Sequence, residues 1–592
     1  MSHPSLEPPR FPALLPRRFL PLLCALPTLL AAALGLGRWV PGCVELLAAA
    51  GLCGLLVLAH RALREHGRVP AWPALLALLA VTLGTVAALA GGLAGFGTPE
   101  PAPLAHLLVT RTRVAAGGSA LVFGVLAVWP QVSWLWGWWS DVPPPPGQLP
   151  LARGWTRLSL VVLLAGALTH GAALCLHDGA LIQIDSSVNV WEPPLFQFST
   201  QPHHHTPLYA ELVKFADRTA HPAQALWWIV VFQHLAVVVT AMVVERTTRL
   251  TSNSAVAGAF AGLLTGLCGH LSLYAQMIMS EAFSIGFLIL ATACVFEAPR
   301  RRRAGRWLLA AGLFAAAATL TRQVMQAWFV AGALAILFLR FPHRWRALAL
   351  YLAGALIPVL ALIVHNGIFN QRYSLTAGLG RTLHYRVAKG LPDLTDADAP
   401  PGDPYERARE LIWERREAGW VDSYSAIQRE LGWDDVQIER AMKRFYVEQV
   451  LKHPLPFARV TLDYGHQLLV GRETGAGAMG FHNLSLDNLT MWQDVPRAEP
   501  ESFAGQWLHS FQPTSSWVVL LLAAFSPFLV QGRARVLALT ALISTAYFLV
   551  LTALLEVPIT RYRLPTVPFF AMASGLSVGW LEALIARRRG RG

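Results

Sequence analysis

Charged residues are scarce in this chain of 592 residues. Asp, Glu, Lys and Arg make up 14% of it, hydrophobic residues make up 54%, and the mean hydropathy is +0.44. Soluble domains carry about 25% charged residues. A soluble fold of this length would have to bury more apolar surface than its interior holds. The composition therefore excludes an ordinary soluble enzyme and a disordered chain, and it favours one large membrane body with a smaller soluble part.

Cysteine is also rare, with six residues in the whole chain. No two of them form a CxxC pair, and all lie in or beside apolar runs. We therefore interpret them as small packing residues, which excludes a disulfide scaffold and argues against a zinc site. The six are Cys24, Cys43, Cys53, Cys175, Cys268 and Cys294.

Lysine is scarcer still, since only four of the 48 basic residues are lysine, although the net charge is +13. The arginines do not form the basic stripe of a nucleic-acid-binding domain, so no nucleic-acid partner is expected. They stand instead in short clusters between apolar runs, which is typical of cytoplasmic membrane loops. The main clusters are Arg17–Arg18, Arg61–Arg68, Arg300–Arg306, Arg340–Arg346, Arg533–Arg535 and Arg587–Arg591.

Apolar segments of about 20 residues, long enough to cross a bilayer, recur along the chain and predict about fourteen spans. With both termini in the cytoplasm, nearly every basic cluster falls on the inner side. The stretch 306–340 is the hardest to divide, and Arg322 in its middle indicates a turn at the membrane surface. The predicted spans begin near residues 19, 41, 72, 115, 156, 226, 255, 281, 306, 323, 345, 516, 534 and 564.

The predicted fold is therefore an all-α polytopic membrane bundle with two large extracytoplasmic segments. Between Tyr405 and Leu469, apolar residues recur at helical spacing and predict two or three amphipathic helices that form a small cap domain. Pro454 and Pro456 are expected to break this run. The apolar positions are Leu411, Ile412, Ile427, Leu431, Ile438, Met442, Phe445, Tyr446, Val450 and Leu451.

Composition divides the chain into four predicted parts. Residues 1–150 form an appended four-span unit that ends in the proline-rich linker Pro143–Pro146. Residues 151–365 form the membrane core, which carries the first extracytoplasmic loop, 177–225. Residues 366–515 form the cap, and residues 516–592 form the C-terminal spans.

Ionisable groups near membrane depth are costly and tend to be functional. Asp185 directly follows an apolar stretch, where a carboxylate suits a general base or a metal ligand, and Asp178 is the next candidate. Three consecutive histidines, His203–His205, would point in different directions, so a loop without metal is the better interpretation. A divalent metal remains possible, and the sequence specifies no cofactor.

Three arginines fall at the predicted outer ends of spans, where the positive-inside rule does not explain them. Arg322, Arg561 and Arg563 have guanidinium groups that match phosphate oxygens. The alternative is pairing with an acid such as Glu556. Glu281 opens an apolar segment, where an acid at a helix N-terminus is favoured by the macrodipole.

Nucleotide-binding signatures are missing as well. The chain has no Walker A loop, no Rossmann glycine fingerprint and no HExxH motif. An enzyme of this kind would have to receive its substrate in activated form outside the cytoplasm, which points to a lipid-linked donor.

Four short motifs together resemble the GT-C superfamily of polytopic membrane glycosyltransferases, which includes protein O-mannosyltransferases and aminoarabinose transferases. They cover roughly 155–592, and all are placed on the predicted outer side. The motifs are Ile184-Asp185-Ser186-Ser187, His205-Thr206-Pro207-Leu208-Tyr209, Met279-Ser280-Glu281-Ala282-Phe283 with Leu320-Thr321-Arg322, and Arg561-Tyr562-Arg563-Leu564-Pro565 with Pro568.

This resemblance implies a GT-C-like bundle that moves a sugar from a polyprenyl-phosphate donor to a lipid, glycan or protein acceptor. Asp185 would serve as the catalytic base in an inverting displacement. Arg322, Arg561 and Arg563 would bind the phosphate. His205, Tyr209, Glu281 and Tyr562 would shape the substrate pocket, and the enzyme would sit in a bacterial inner membrane.

Other functions fit the same sequence. About fourteen spans also suit a transporter or lipid flippase, which would show inverted repeats and interrupted helices. A polysaccharide polymerase or ligase would use the same donors but transfer a whole glycan. A non-catalytic assembly subunit would keep the fold without the chemistry, because Ser186, Ser187, Val188 and Asn189 follow Asp185 where many family members carry a second acid or a tyrosine.

Overall fold

The computed structural model describes only part of the chain. The described residues are 157–176, 206–219, 222–369, 373–376, 379–390, 405–415, 420–470, 516–555 and 560–589. All of them lie in the second of two compact units into which the chain divides, Val128–Gly592. The predicted four-span unit at 1–150, with its linker, lies outside the described residues.

Every regular element in these stretches is helical, and the described residues contain no strand, so the all-α prediction is confirmed for them. The first half of the helices runs α1 (Arg157–Leu176), α2 (Pro207–Thr219), α3 (Pro222–Ser252), α4 (Ala255–Gly266), α5 (Gly269–Gln276), α6 (Glu281–Glu297), α7 (Ala304–Thr321), α8 (Trp328–Phe338) and α9 (Arg344–Phe369). The second half runs α10 (Leu379–Gly390), α11 (Glu406–Glu414), α12 (Trp420–Leu431), α13 (Asp435–Lys452), α14 (Pro454–Val470), α15 (Trp517–Leu529), α16 (Gly532–Leu555) and α17 (Val567–Arg589). Short 3₁₀ helices cover Ala298–Arg300, Gln323–Ala327 and Thr560–Thr566.

Six helical segments of the described chain are long and apolar enough to cross a membrane, which fits an integral membrane protein. They are Trp228–Ser252, Glu281–Arg300, Ala304–Thr321, Arg344–Phe369, Gly532–Leu555 and Tyr562–Arg588. Helices α4 and α5 together make a seventh apolar segment, which bends by 45° at its break. Shorter apolar helices occupy Leu158–Leu174, Gln323–Phe338 and Trp517–Leu529. The predicted spans near 19, 41, 72 and 115 lie outside the described residues, so the count of fourteen stays a prediction.

The difficult stretch 306–340 divides at Arg322, as the sequence indicates. Helix α7 ends at Thr321, and Arg322 follows it in an extended conformation with φ −155° and ψ 117°. The chain then turns through Gln323–Ala327 into α8. Helix α7 has 18 residues and is therefore about 27 Å long, so Arg322 lies far from the basic turn Arg300–Arg303 at its other end. At that other end Arg301 pairs with Glu297 at 3.0 Å.

Small residues let α7 and α9 approach each other closely. Such contacts are common between membrane helices, because the hydrophobic effect does not drive their association and close packing has to. A Cβ atom added to Gly354 would stand 2.5 Å from the carbonyl oxygen of Leu309 and 3.2 Å from the Cα of Gly312. A Cβ atom added to Gly312 would meet the backbone of Tyr351 and would stand 2.7 Å from the nitrogen of Ala355. These two backbones therefore touch with no room for a methyl group.

Helices α10 to α13 and the start of α14, which we call the cap helices, enclose a second, smaller hydrophobic core. The extracytoplasmic cap domain itself stays a prediction. The predicted apolar positions Leu411, Ile412, Ile427, Ile438, Met442 and Phe445 are all buried in this core. Leu431, Tyr446 and Val450 pack against it. Leu451 lies on α13 as well, but its side chain is 75% exposed and takes no part in this core. The predicted break occurs at His453, and Pro454 starts α14, where a missing N–H costs nothing.

The smaller core is joined to the bundle at the C-terminal end of α16. Arg386 on α10 is fully buried, and its Nε donates to the carbonyl oxygen of Ala553 at 3.0 Å. The hydroxyl of Tyr446 donates to the carbonyl oxygen of Leu554 at 3.1 Å. The last carbonyls of a helix have no partner within that helix. Side chains of the cap helices therefore complete the end of α16.

We expect Gly312→Ala to lower the free energy of unfolding by about 2 kcal/mol, because the added methyl group would overpack the contact between α7 and α9. The measurement is the thermal unfolding midpoint of the purified chain in detergent. Gly465→Ala is the matched control, because a Cβ atom there meets nothing within 4 Å. It should leave the midpoint unchanged or raise it, since alanine favours a helix over glycine. Equal midpoints for the two variants would contradict the close packing.

Acid should loosen the smaller core through His384. Its ring is buried beside Phe445, with centroids 6.4 Å apart, and burial lowers the pKa of His384 to about 4. An unfolded chain binds this proton below about pH 6.5, whereas the folded chain binds it only below about pH 4. Stability is therefore full above pH 6.5 and falls by up to about 3 kcal/mol as the pH drops through this window.

The measurement is amide hydrogen exchange of the 379–470 segment in the full chain at pH 7.5 and pH 5, corrected for intrinsic rates. His384→Gln should remove most of the acid-induced opening. His466→Gln, at an exposed position on α14, should not change it. Persistence of the acid effect in His384→Gln would assign it to another group.

Candidate active site

The start of α6 places Glu281 at one end of the bundle. Ser280 precedes the helix, and Glu281 is its first residue, where the positive end of the macrodipole favours an acid, as the sequence suggests. The side chain of Glu281 is nevertheless only 1% exposed. A buried carboxylate at this position needs a partner.

Arg322 supplies that partner from the end of α7. A guanidinium nitrogen of Arg322 forms an ion pair with a carboxylate oxygen of Glu281. The backbone N–H of Arg322 donates to the carbonyl oxygen of Ala318 at 2.8 Å, which closes the last turn of α7. The guanidinium carbon also lies 5.6 Å from the ring centroid of Tyr562, within the range of a cation–π contact. Arg322 therefore joins α6 to the turn before α17.

That turn is the 3₁₀ helix Thr560–Thr566, which carries Tyr562 and Arg563. Arg563 is 5% exposed, and Thr566 Oγ1 donates to its carbonyl oxygen at 2.7 Å. Pro565 lies inside the turn, where its fixed φ suits this tight backbone. Two arginines and one glutamate thus stand at the same end of the bundle, although more than 280 residues separate Glu281 from Arg563.

Tyr209 lies at the same end of the bundle, but its side chain is directed into the protein interior. It lies on α2, its side chain is fully buried, and its hydroxyl donates to Gln233 Oε1 at 2.7 Å. Its ring centroid is 6.2 Å from that of Phe283, in the first turn of α6. Burial raises the pKa of the Tyr209 hydroxyl well above its usual value, and the negative charge of Glu281 raises this pKa further. The hydroxyl therefore stays protonated and acts as a hydrogen-bond donor.

Sequence reasoning missed Gln233, which organises this region. Its Nε2 donates to the carbonyl oxygens of Ala275 at 2.8 Å and Met277 at 2.6 Å, so it ties α3 to the end of α5 and to the residue that follows α5. Beside it, His234 Nδ1 lies 2.8 Å from His170 Nδ1, and His234 Nε2 lies 2.9 Å from Gln276 Oε1. The signal was a Gln-His pair inside the apolar run of α3, where polar groups need a reason.

Five of the nine predicted site residues are thus described with their side chains, and they gather at one end of the bundle: Tyr209, Glu281, Arg322, Tyr562 and Arg563. Asp178, Asp185 and His205 lie outside the described residues, as does the side chain of Arg561. Within the described stretches, no cluster of three or more His, Cys, Asp or Glu residues could hold a metal ion. Cys268 and Cys294 are buried, which fits packing residues, and the side chains of the other four cysteines lie outside the described residues.

Comparison with known proteins gives structural similarity only. No protein-family model matches the chain. No curated protein matches it either.

Solved structures of an oligosaccharyltransferase from the archaeon Archaeoglobus fulgidus are similar to the chain. The structure of this enzyme, AglB, in complex with an inhibitory peptide and a dolichol-phosphate is 13% identical over 73% of this chain and 51% of that chain, with a TM-score of 0.35. The structure of the apo form is 14% identical over 74% of this chain and 52% of that chain, with a TM-score of 0.36. The chain spans about half the length of these structures.

We expect loss of one partner of the Glu281–Arg322 pair to destabilise the chain strongly. Arg322→Gln leaves a buried carboxylate uncompensated, which costs about 3 kcal/mol. The double variant Glu281→Gln, Arg322→Gln should recover part of this loss. The coupling is measured as a double-mutant cycle of unfolding midpoints in detergent.

Arg407→Gln serves as the control, since Arg407 is half-exposed and pairs most closely with two half-exposed acids, Glu410 at 2.9 Å and Glu430 at 2.7 Å. Its midpoint should hardly change, because water solvates both partners. Additive losses in the double variant, with no recovery, would contradict a coupled buried pair.

Proposed function

We propose that the chain is a membrane glycosyltransferase of the GT-C type. It would transfer a sugar from a polyprenyl-phosphate-linked donor to a lipid, glycan or protein acceptor outside the cytoplasm. The proposal further places the chain in a bacterial inner membrane with its active site on the extracytoplasmic face and both termini in the cytoplasm.

One observation carries the proposal. Three segments that resemble family motifs, around Glu281, Arg322 and Tyr562–Arg563, contact one another in space through the ion pair and the cation–π contact. These segments are remote in sequence, and helix packing alone does not require their charged residues to meet. Clustered ionisable residues at the edge of a membrane bundle are a mark of a functional site.

The charge of this cluster suits a phosphate ester. Among the described side chains, Arg322 and Arg563 carry two positive charges and Glu281 carries one negative charge, so one positive charge remains. A lipid phosphodiester of a single sugar carries one negative charge. Guanidinium groups bind phosphate oxygens with matched geometry. Arg561 would add a further positive charge beside them.

The chemical step would be a direct displacement at the anomeric carbon. A bond forms between the acceptor hydroxyl oxygen and the anomeric carbon, and the bond from that carbon to the phosphate oxygen breaks. Asp185 accepts the hydroxyl proton. The arginines stabilise the negative charge that grows on the leaving phosphate. This displacement inverts the configuration at the anomeric carbon, while His205 and Tyr562 would shape the pocket.

A flippase for lipid-linked glycans is the second candidate, because the helix made by α4 and α5 is broken. The two halves meet at 45°, and the second half is lined by the buried polar residues His270 and Gln276. Interrupted helices are typical of transporter binding sites. A flippase would move a fluorescent lipid-linked sugar across proteoliposomes even when Asp185 is replaced by Asn, whereas a transferase would not need to move it.

We expect Asp185→Asn to lower sugar transfer by a factor of about 10² to 10⁴, because the amide cannot accept the proton. The measurement is transfer of radiolabelled sugar from a polyprenyl-phosphate donor by the purified chain in lipid nanodiscs. Asp178→Asn is the matched control and should keep most of the activity. If Asp185→Asn is active and Asp178→Asn is inactive, the catalytic base is Asp178. Activity in both variants would overturn the mechanism.

A further inference from the structure

Helix α14 contacts both hydrophobic cores. Phe457, near its start, is buried in the core of the cap helices. Leu468, near its end, is buried, and Leu469 packs against the core of the bundle. Between them, Thr461 Oγ1 accepts a hydrogen bond from Arg386 Nη2 at 3.1 Å. Positions 457, 461, 464 and 468 lie on one face of the helix, and this whole face is in contact with other parts of the protein.

The opposite face of α14 carries exposed leucines in its first half, whereas its second half carries the exposed His466 and then Leu469, which packs against the bundle. Leu455 is 81% exposed and Leu462 is 76% exposed, and they lie seven residues apart on one side of the helix. Leu451, at the end of α13, is exposed to a similar degree. We call Leu451, Leu455 and Leu462 the leucine patch. Single exposed leucines are ordinary on a soluble surface, but a cluster of them marks an interaction site.

The position of α14 places the leucine patch at the level where the spans end. Helix α14 packs on α16 and on the turn that precedes α17. Helix α16 has 24 residues and is about 36 Å long, which slightly exceeds the hydrocarbon thickness of about 30 Å. Its end, at Ala553 and Leu554, touches Arg386 and Tyr446. A helix packed beside this end has its outer face at the boundary between acyl chains and headgroups.

The charges around the patch favour phospholipid headgroups. Lys452 and Arg459 are exposed on the same short stretch of chain. Of the acids beside the patch, Asp463 accepts a hydrogen bond from Gln467 at 2.8 Å, and Glu448 pairs with Arg409 and with Arg444, each at 2.9 Å. Apolar side chains flanked by basic ones are the composition of helices that lie in the membrane interface.

We infer that α14 is an interfacial helix whose leucine patch inserts into the lipid on the side of the membrane that carries the candidate site. The lipid surface then holds the cap helices against the ends of α16 and α17. This inference does not depend on sugar transfer.

Depth-dependent fluorescence quenching tests the inference. An environment-sensitive nitrobenzoxadiazole dye is attached to Leu462→Cys in the full chain, reconstituted in nanodiscs, and the signal of the unsubstituted chain is subtracted. Lipids with a doxyl group near the headgroup should quench this dye several-fold more than a dye at Glu414→Cys. Glu414 is half-exposed on α11, which packs mainly on the cap helices α12 and α13. Aqueous iodide should quench the dye at position 414 and spare the dye at position 462.

Any other result of the quenching experiment contradicts the inference. Iodide quenching at position 462 as strong as at position 414 would mean that the patch faces water. Protection from both quenchers, together with dimers on native electrophoresis after crosslinking through position 462, would assign the patch to a second copy. Leu455→Cys is measured in parallel, because insertion of the helix requires the two positions to agree.

Discussion

A buried ion pair fixes the two helix ends on which the candidate site is built. Glu281 begins α6 and Arg322 directly follows the end of α7, so their contact closes this helical hairpin at one end, while Glu297 and Arg301 pair near its other end. Charges at the edge of an apolar bundle are costly unless they are paired. Because Arg322 also lies over the ring of Tyr562, the same pair positions the turn that leads into α17.

The cap helices depend on a related constraint, the unpaired carbonyl groups at the end of α16. A helix that stops at the membrane surface leaves its last carbonyls without partners. Arg386 and Tyr446 donate to two of them, and a cation is favoured at this negative end of the helix. Arg386 also stacks against the rings of Phe457 and Tyr464, with its guanidinium carbon 4.9 Å and 4.3 Å from their centroids. The attachment is therefore made of directed contacts in addition to apolar packing.

Charged residues were the most reliable predictors of helix boundaries in this sequence, because a charge within an apolar run is costly unless a turn, a helix end or a partner accommodates it. They predicted the turn at Arg322 and the helix start at Glu281. They did not reveal Gln233, whose amide carries no charge although its two hydrogen bonds tie α3 to the segment before α6. The break between α4 and α5 was also not predicted from the charged residues. Periodicity placed Leu451 in the same helical series as the core residues, yet its side chain is exposed, because apolar spacing alone does not specify what a side chain contacts.

The ion pair has a consequence for how a phosphate would bind under the proposed function. Arg322 is already held by Glu281, so its side chain is ordered before any ligand arrives and loses less conformational entropy on binding. Glu281 also neutralises part of the charge that would attract the phosphate. A site with two guanidinium groups and one carboxylate therefore favours moderate binding of a monoanion over tight binding of a dianion. That balance suits an enzyme that must release a charged lipid phosphate after each transfer, because a leaving group held too tightly would block the next turnover.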